Sequence, residues 1–148
     1  FMIDIIDRNK GIINQFLGDG FMATFGTPIE STDYCQNAVH AAREIIKELE
    51  HQNNNKLIPP TRIGIGLHAG TAITGNVGTA IRKQYSITGN VVILASRLEQ
   101  LNKEFNSQII ISREVLNNLQ ADEKLWAESL GPVSLNGRSE SIQAFKIA

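Results

Sequence analysis

The sequence lacks several features that would assign it to a broad class of protein at once. It contains one cysteine, Cys35, which excludes an internal disulfide and is typical of a reducing compartment. No apolar run approaches the roughly 20 residues that a helix needs to cross a bilayer, and there is no signal-peptide pattern. We therefore expect a cytoplasmic domain that does not itself insert into a membrane.

The chain also lacks an excess of charge of either sign. Its formal net charge is −1 over 148 residues, so it has no basic footprint for binding a nucleic acid. Hydrophobic residues make up 42% of the chain, and a chain of this length can bury about two-thirds of its unfolded surface. These values predict one globular domain without a nucleic-acid partner.

The stretch FLGDGFMATFG, residues 16–26, predicts a β-hairpin. Two short apolar segments flank Gly18-Asp19-Gly20, and a two-residue turn of this composition is a strong hairpin signal. Asp19 is then expected at the tip, where an exposed carboxylate could bind a metal ion. Aspartate is also a common turn residue, and the local pattern alone favours that simpler explanation.

Apolar residues at three- and four-residue spacing predict two amphipathic helices. The first begins near Ser31 or Thr32 and runs to about residue 51, and the second opens at Gly89-Asn90 with Arg97 off its buried stripe. Strand-like segments alternate with these helices, which predicts an α+β or mixed α/β fold.

Segment 62–73 is the most strand-like part of the chain, with one apolar face and one nearly bare face of glycines. Such glycines indicate that a ligand, a partner or another part of the same chain comes close, and these explanations stay open. His68 on the bare face is more readily explained as a hydrogen-bonded structural group than as a ligand. The glycine-containing stretch 75–79 could present N–H groups to phosphate, although it lacks the P-loop spacing.

Four stretches together resemble the catalytic domain of class III nucleotidyl cyclases, the adenylyl and guanylyl cyclases. They occur in the family's order and cover nearly the whole chain: FLGDGFMATFG (16–26), RIGIGLHAGTAITGNVG (62–78), RKQYSITGNVVILASRLEQLN (82–102) and LGPVSLNGRSESIQAFKI (130–147). The resemblance implies a ferredoxin-like α/β sandwich of the polymerase-palm type, with a mixed, mostly antiparallel sheet and helices on one face. It also implies a single cyclase homology domain over 1–148 that lacks its first strand and part of its first helix. Because the chain is already helix-like at its first residues, FMIDIIDRNKG, we expect a longer parent protein with an upstream sensor or membrane region.

The resemblance also implies an activity in intracellular signal transduction. Members of that family convert ATP or GTP to the 3′,5′-cyclic nucleotide and pyrophosphate, with two divalent ions, Mg²⁺ or Mn²⁺, held by two aspartates. They act as dimers with active sites at the interface, so a homodimer or a heterodimer with another cyclase domain is expected. Asp19 matches the second metal aspartate, and Arg97 matches the arginine that stabilises the transferring phosphate.

Several positions depart from the family's pattern. Gln15 stands where the family has a base-recognition lysine, and Ser86 is at the other base-recognition position, so adenine and guanine both stay open. Ile93 replaces an asparagine near the catalytic arginine, and Asn136 replaces a phosphate-binding lysine for which nearby Arg138 could substitute. The family's first metal aspartate would precede the first residue of this chain.

These departures leave two functional hypotheses. The first is an active nucleotidyl cyclase domain. The second is a catalytically weak or inactive cyclase-like pseudoenzyme that dimerises or binds nucleotide as a regulatory module. Two lost transition-state contacts, at about 3 to 4 kcal/mol each, would leave little activity in a symmetric dimer, which is the reason for the second hypothesis.

Overall fold

The computed structural model describes residues 1–26, 33–70, 73–77, 84–88, 90–134 and 141–148. Over these residues the chain forms five helices and eight strands. The helices are α1 (Met2–Arg8), α2 (Tyr34–Asn54), α3 (Asn90–Glu104), α4 (Arg113–Asn117) and α5 (Ala121–Lys124). The strands are β1 (Gly11–Leu17), β2 (Gly20–Phe25), β3 (Ile65–Leu67), β4 (Ile73–Val77), β5 (Gln84–Thr88), β6 (Ile109–Ser112), β7 (Glu128–Ser134) and β8 (Ser141–Lys146).

Strands β1 and β2 form the expected hairpin. They pair antiparallel from Gly11 opposite Phe25 to Leu17 opposite Gly20, so only Gly18 and Asp19 remain in the turn. Gly18 has a φ of +57°, a conformation that glycine adopts at no steric cost and that two-residue hairpin turns require. The prediction of Asp19 at the hairpin tip is therefore confirmed.

A four-stranded sheet in the order β3-β6-β8-β7 lies at the centre of the fold. Strand β3 pairs parallel with β6, whereas β6–β8 and β8–β7 are antiparallel. Strands β4 and β5 form a separate antiparallel pair. The α+β class and the mixed, mostly antiparallel sheet agree with the expectation from sequence.

Helices cover both faces of this sheet, which corrects the expectation of helices on one face. Successive strand residues point to opposite faces, and β6 shows this clearly. Its Ile109 and Ile111 pack with Val39 of α2, whereas Ile110 packs with Leu98 of α3. A third cluster joins α1 and α2 to the inner face of the hairpin. Its members are Ile5, Ile6, Ala41 and Ile45, with Met2, Ile13, Phe21, Ala23, Phe25, Ile63 and Ile65 packed against them.

The bare face of β3 packs against α3 of the same chain. A Cβ atom on Gly66 would overlap the backbone nitrogen of Glu99 and the backbone oxygen of Ala95. One on Gly64 would lie only 3.1 Å from the side chain of Asn102. The intramolecular explanation for these glycines is therefore correct, and the alternative of a partner approaching the sheet there is wrong for these two positions.

Some element boundaries differ from those that the sequence predicts. The long strand expected over 62–73 is limited to three residues in β3, and part of the proposed phosphate loop, Gly75 to Val77, belongs to β4 instead. Helix α2 begins after Asp33 and extends to Asn54, while the proposed caps Ser31 and Thr32 lie outside the described residues. No described helix is both long enough and apolar enough to cross a membrane.

Replacing Gly66 with alanine should destabilise the fold. The new methyl group would push α3 away from β3, which costs about 1–3 kcal/mol or more for an overpacked contact. Gly70→Ala is a matched control because its Cβ would lie 3.7 Å from the nearest neighbour, His68 Nε2, an ordinary contact. Urea denaturation measures the free energy of unfolding of both variants, and equal values for the two would contradict this close packing.

Candidate active site

Asp19 is exposed at the tip of the hairpin. Within the part of the chain that the structure describes, its carboxylate has no hydrogen-bond or ion-pair partner. A partnered carboxylate would have to give up that partner before it could bind a cation, whereas no described residue would have to be displaced from this one. The local geometry thus leaves Asp19 available as a ligand.

Gln15 lies on the exposed face of β1, four residues before Asp19. Strand β1 also contacts strand β5, where Ser86 pairs opposite Gly75. The two positions expected to recognise the base are therefore carried by neighbouring strands of one chain. Their placement is compatible with a shared task but does not distinguish adenine from guanine.

Arg97 lies on α3, away from the buried stripe that contains Leu98 and Leu101. Its Nε donates a long hydrogen bond of 3.4 Å to the carbonyl oxygen of Ser134, the last residue of β7. Among the described residues this is the only hydrogen bond of the guanidinium, and it uses one of its five donors. Asn136 and Arg138, the expected phosphate-binding positions, follow β7 in the chain and lie outside the described residues.

Ile93 precedes Arg97 by one helical turn, and side chains at this spacing are neighbours on a helix surface. Its side chain is 52% exposed, so it belongs to the surface of α3 and not to the core. A hydrocarbon at this position cannot hydrogen-bond a sugar or a phosphate. The packing therefore does not require isoleucine here.

His68 lies in a polar cluster at the end of β3. Its Nδ1 is 2.8 Å from the hydroxyl oxygen of Ser112 and 3.6 Å from a carboxylate oxygen of Glu114. Burial lowers the pKa of the imidazole, and the nearby Glu114 charge opposes that shift in part. The Ser112 hydroxyl also accepts a hydrogen bond from the Val115 backbone, as the N-cap of α4. These contacts fit the structural role expected for His68.

The described residues contain no group of three or more His, Cys, Asp and Glu side chains that could hold a metal ion. Cys35 is buried, and burial raises the pKa of its thiol to about 11, so it is not a thiolate ligand or nucleophile at neutral pH. Among the described residues, Asp19 does not belong to a complete metal site. A single carboxylate fits Mg²⁺, which proteins commonly hold through one or two carboxylates together with substrate phosphates.

Two residues near the site were not expected from sequence. Asn14 is an extra residue in β1, because Ile13 pairs with Ala23 while Gln15 pairs with the adjacent Met22. The consecutive polar residues Asn14 and Gln15 within an apolar strand are the signal that could have revealed this bulge. The Ser134 carbonyl that Arg97 contacts had no sequence signal at all, because any residue supplies a carbonyl.

The sequence matches the family described as Adenylate and Guanylate cyclase catalytic domain over residues 2–147. The chain belongs to this family. The cyclase-family domain is 30% identical over 147 residues to Adenylate cyclase 1 of Rhizobium meliloti, a match that covers 97% of the domain and 22% of that protein. It spans 22% to 29% of the length of the first two curated relatives that it matches, the second being an adenylate cyclase of Anabaena cylindrica.

The cyclase-family domain also superposes on solved structures of other members. The adenylyl cyclase CyaB from P. aeruginosa has a TM-score of 0.79 and 29% identity, over 99% of this chain and 76% of that one. This similarity confirms the cyclase-type fold that the resemblance implies. Relatives of this kind were expected from the four sequence motifs.

The burial of His68 should make the stability of the domain depend on pH. Because the folded state disfavours the protonated imidazole, the unfolded state binds more protons once the pH falls below the ordinary value of 6.5. The free energy of unfolding should then decrease as the pH falls from about 7 towards the lowered pKa, and stay constant with respect to this group above about pH 7.

Urea denaturation over this pH range checks the effect. His68→Gln should flatten the dependence, whereas His51→Gln, at an exposed position near the end of α2, should leave it in place. An unchanged slope in His68→Gln would contradict the assignment of this pH dependence to His68.

Proposed function

We propose that this domain converts ATP or GTP into the 3′,5′-cyclic nucleotide and pyrophosphate, for intracellular signal transduction. In this reaction the ribose 3′-oxygen attacks the α-phosphorus, a new P–O bond closes the ring, and the bond to the leaving pyrophosphate breaks. The observation that carries the proposal is the exposed carboxylate of Asp19 at a two-residue turn, which no described residue hydrogen-bonds or pairs with, within a chain that belongs to the cyclase family over almost its whole length.

Asp19 is proposed as a ligand for a divalent cation, Mg²⁺ or Mn²⁺. When bound, such an ion supplies positive charge that neutralises the phosphates and activates the attacking oxygen. The family uses two ions, and the described residues provide one carboxylate for them, so the substrate phosphates and further groups must complete the coordination. The short turn supports this role because it fixes the Asp19 backbone with few free torsions.

Arg97 is proposed to stabilise the charge that develops on the transferring phosphate. The guanidinium offers two parallel N–H donors, which match two phosphate oxygens better than the single ammonium of lysine would. Its Nε bond to the Ser134 carbonyl is long, and no described residue hydrogen-bonds its terminal nitrogens, which supports this role. A pre-oriented donor of this kind typically contributes about 3 to 4 kcal/mol to catalysis.

Gln15 and Ser86 are proposed to recognise the base. Both side-chain types can donate and accept hydrogen bonds, so either adenine or guanine can be accommodated by their chemistry. Arg138 is proposed to bind phosphate in place of the lysine that Asn136 replaces. We also propose that two domains act together, as a homodimer or a heterodimer, with Asp19 of one copy and Arg97 of the partner subunit at a shared site.

A second candidate function follows from Ile93. An exposed isoleucine one turn from Arg97 removes a hydrogen-bonding group without contributing to the core. This observation favours a regulatory pseudoenzyme that binds nucleotide or dimerises with little turnover. Nucleotide binding by calorimetry, without product, is the result that this alternative predicts.

Asp19→Asn should abolish most of any cyclase activity. The amide keeps the shape of the side chain but loses the charge that attracts the cation, and a loss of at least about 100-fold in kcat is expected. Asp122→Asn is a matched control at another exposed position, on α5, and should retain wild-type activity. The assay measures cyclic AMP or cyclic GMP from the triphosphate with Mn²⁺. Wild-type protein that makes no more product than Asp19→Asn would refute the cyclase proposal and leave the regulatory one.

Restoring family residues at the two degenerate positions should raise a weak activity. In the double variant Ile93→Asn with Asn136→Lys, the asparagine amide can hydrogen-bond the ribose or a phosphate, and the lysine ammonium can bind the phosphates. Because both contacts would stabilise the transition state, kcat should increase at least about tenfold. Since Ile93 is exposed, its replacement should change the free energy of unfolding by less than about 0.5 kcal/mol. Leu57→Asn is the control for an apolar-to-amide change at an exposed site and should leave kcat unchanged. An unchanged kcat in the double variant would show that these positions are wrongly assigned.

A further inference from the structure

The bulge at Asn14 determines which face of the hairpin Gln15 occupies. In a regular strand, residues two apart share a face, so Gln15 would point to the same side as Ile13. Ile13 and its partner Ala23 pack on the inner cluster with α1 and α2. The extra residue instead places Gln15 opposite Met22, on the outer face.

The inner face would be unsuitable for Gln15. Phe21 and Ala23 contact the hydrophobic cluster there, and without the bulge Gln15 would lie opposite Phe21, beside that apolar surface. The bulge also places Phe16 opposite Phe21, where the two rings meet edge-on with centroids 6.3 Å apart and Phe16 stays 67% exposed. A one-residue slip of the strand would exchange both side chains between faces. The pairing near the turn therefore depends on keeping the extra residue in its bulge.

The Asn14 side chain bridges the two strands at this point. Its Nδ2 donates to the hydroxyl oxygen of Thr24 at 2.7 Å and to the carbonyl oxygen of Ile12 at 3.3 Å. The opposite end of the amide, Oδ1, is buried and has no hydrogen-bond partner among the described residues. An unpaired buried acceptor is unfavourable, so the short bond to Thr24 must offset that cost to keep the amide in place.

We propose that Asn14 is a positioning residue for base recognition. Through its bond to Thr24 it holds the extra residue in the bulge, and thereby keeps Gln15 on the outer face, next to the strand that carries Ser86. This inference rests on the proposed function, in which Gln15 recognises the base of ATP or GTP.

Two substitutions and one deletion test the inference in the full chain. Asn14→Leu and Thr24→Val each remove the bridging bond while keeping an apolar side chain of similar shape, branched at Cγ in the first and at Cβ in the second. Deletion of Asn14 removes the extra residue, so that Ile13 and Gln15 become consecutive opposite Ala23 and Met22, and Gln15 keeps its outer face without a bulge. Calorimetry with Mn²⁺ measures the affinity of each protein for ATP, for GTP and for inorganic tripolyphosphate, which has no base.

The two substitutions should weaken binding of the preferred nucleotide about two- to tenfold, the equivalent of one hydrogen bond, and bring the ATP-to-GTP affinity ratio towards one. Binding of tripolyphosphate should not change, and the deletion should keep the wild-type ratio of ATP to GTP affinity.

If the substitutions weaken the binding of all three ligands equally, Asn14 only stabilises the hairpin and the inference is wrong. The inference is also wrong if the deletion lowers the ATP-to-GTP selectivity as much as the substitutions do. Asn14 would then contribute to selectivity through its own side chain and not by positioning Gln15. Wild-type protein that binds tripolyphosphate but neither nucleotide selectively would refute the role of Gln15, and protein that binds none of the three would refute the proposed function itself.

Discussion

The close contact between Gly66 and the backbone of α3 is the constraint on which the candidate site most depends. It lets the helix approach β3 at a distance that no side chain larger than hydrogen allows. Leu98 and Leu101 then reach the face of the sheet formed by Ile110 and Ala144. The packing of this buried stripe fixes the orientation of the helix about its own axis. In that orientation Arg97 lies at the surface.

The hairpin is held by a different core from the one that holds α3. Its inner face packs on α1 and α2, whereas α3 packs on the opposite side of the central sheet. Ile65 links these regions, because it packs against both the hairpin cluster and the cluster between α2 and β6. The elements that carry Asp19 and Arg97 are therefore connected through β3 and α2, although no hydrogen bond or ion pair joins the two side chains themselves. This arrangement is compatible with a reaction that uses each of them from a different copy of the domain.

Sequence reasoning predicted the elements whose signals are local. The turn at Gly18-Asp19 follows from residue types that tolerate its dihedral angles, and α3 follows from its apolar spacing. Arg97 and Asp19 were found through the family motifs, which add long-range information that local chemistry does not contain. By local chemistry alone, Asp19 would have remained a turn residue.

The remaining features depend on tertiary contacts. The glycines of β3 indicated a close approach, but only the packed chain identifies α3 as the neighbour. The bulge at Asn14 depends on which residues pair across the hairpin, and a strict period of two along β1 would place Gln15 and Phe16 on the opposite faces. Likewise, the alternating faces of β6 meet different helices, so helices on both sides of the sheet could not be inferred from the order of elements alone.

The most direct test of the account mixes two inactive variants of the same chain, Asp19→Asn and Arg97→Ala. If Asp19 of one copy and Arg97 of the partner subunit serve one reaction, a mixed dimer contains one intact site. The mixture should then form cyclic nucleotide from ATP or GTP with Mn²⁺, while neither variant does so alone. A mixture that stays as inactive as its separate components, under conditions in which the wild-type protein is active, would contradict the shared site.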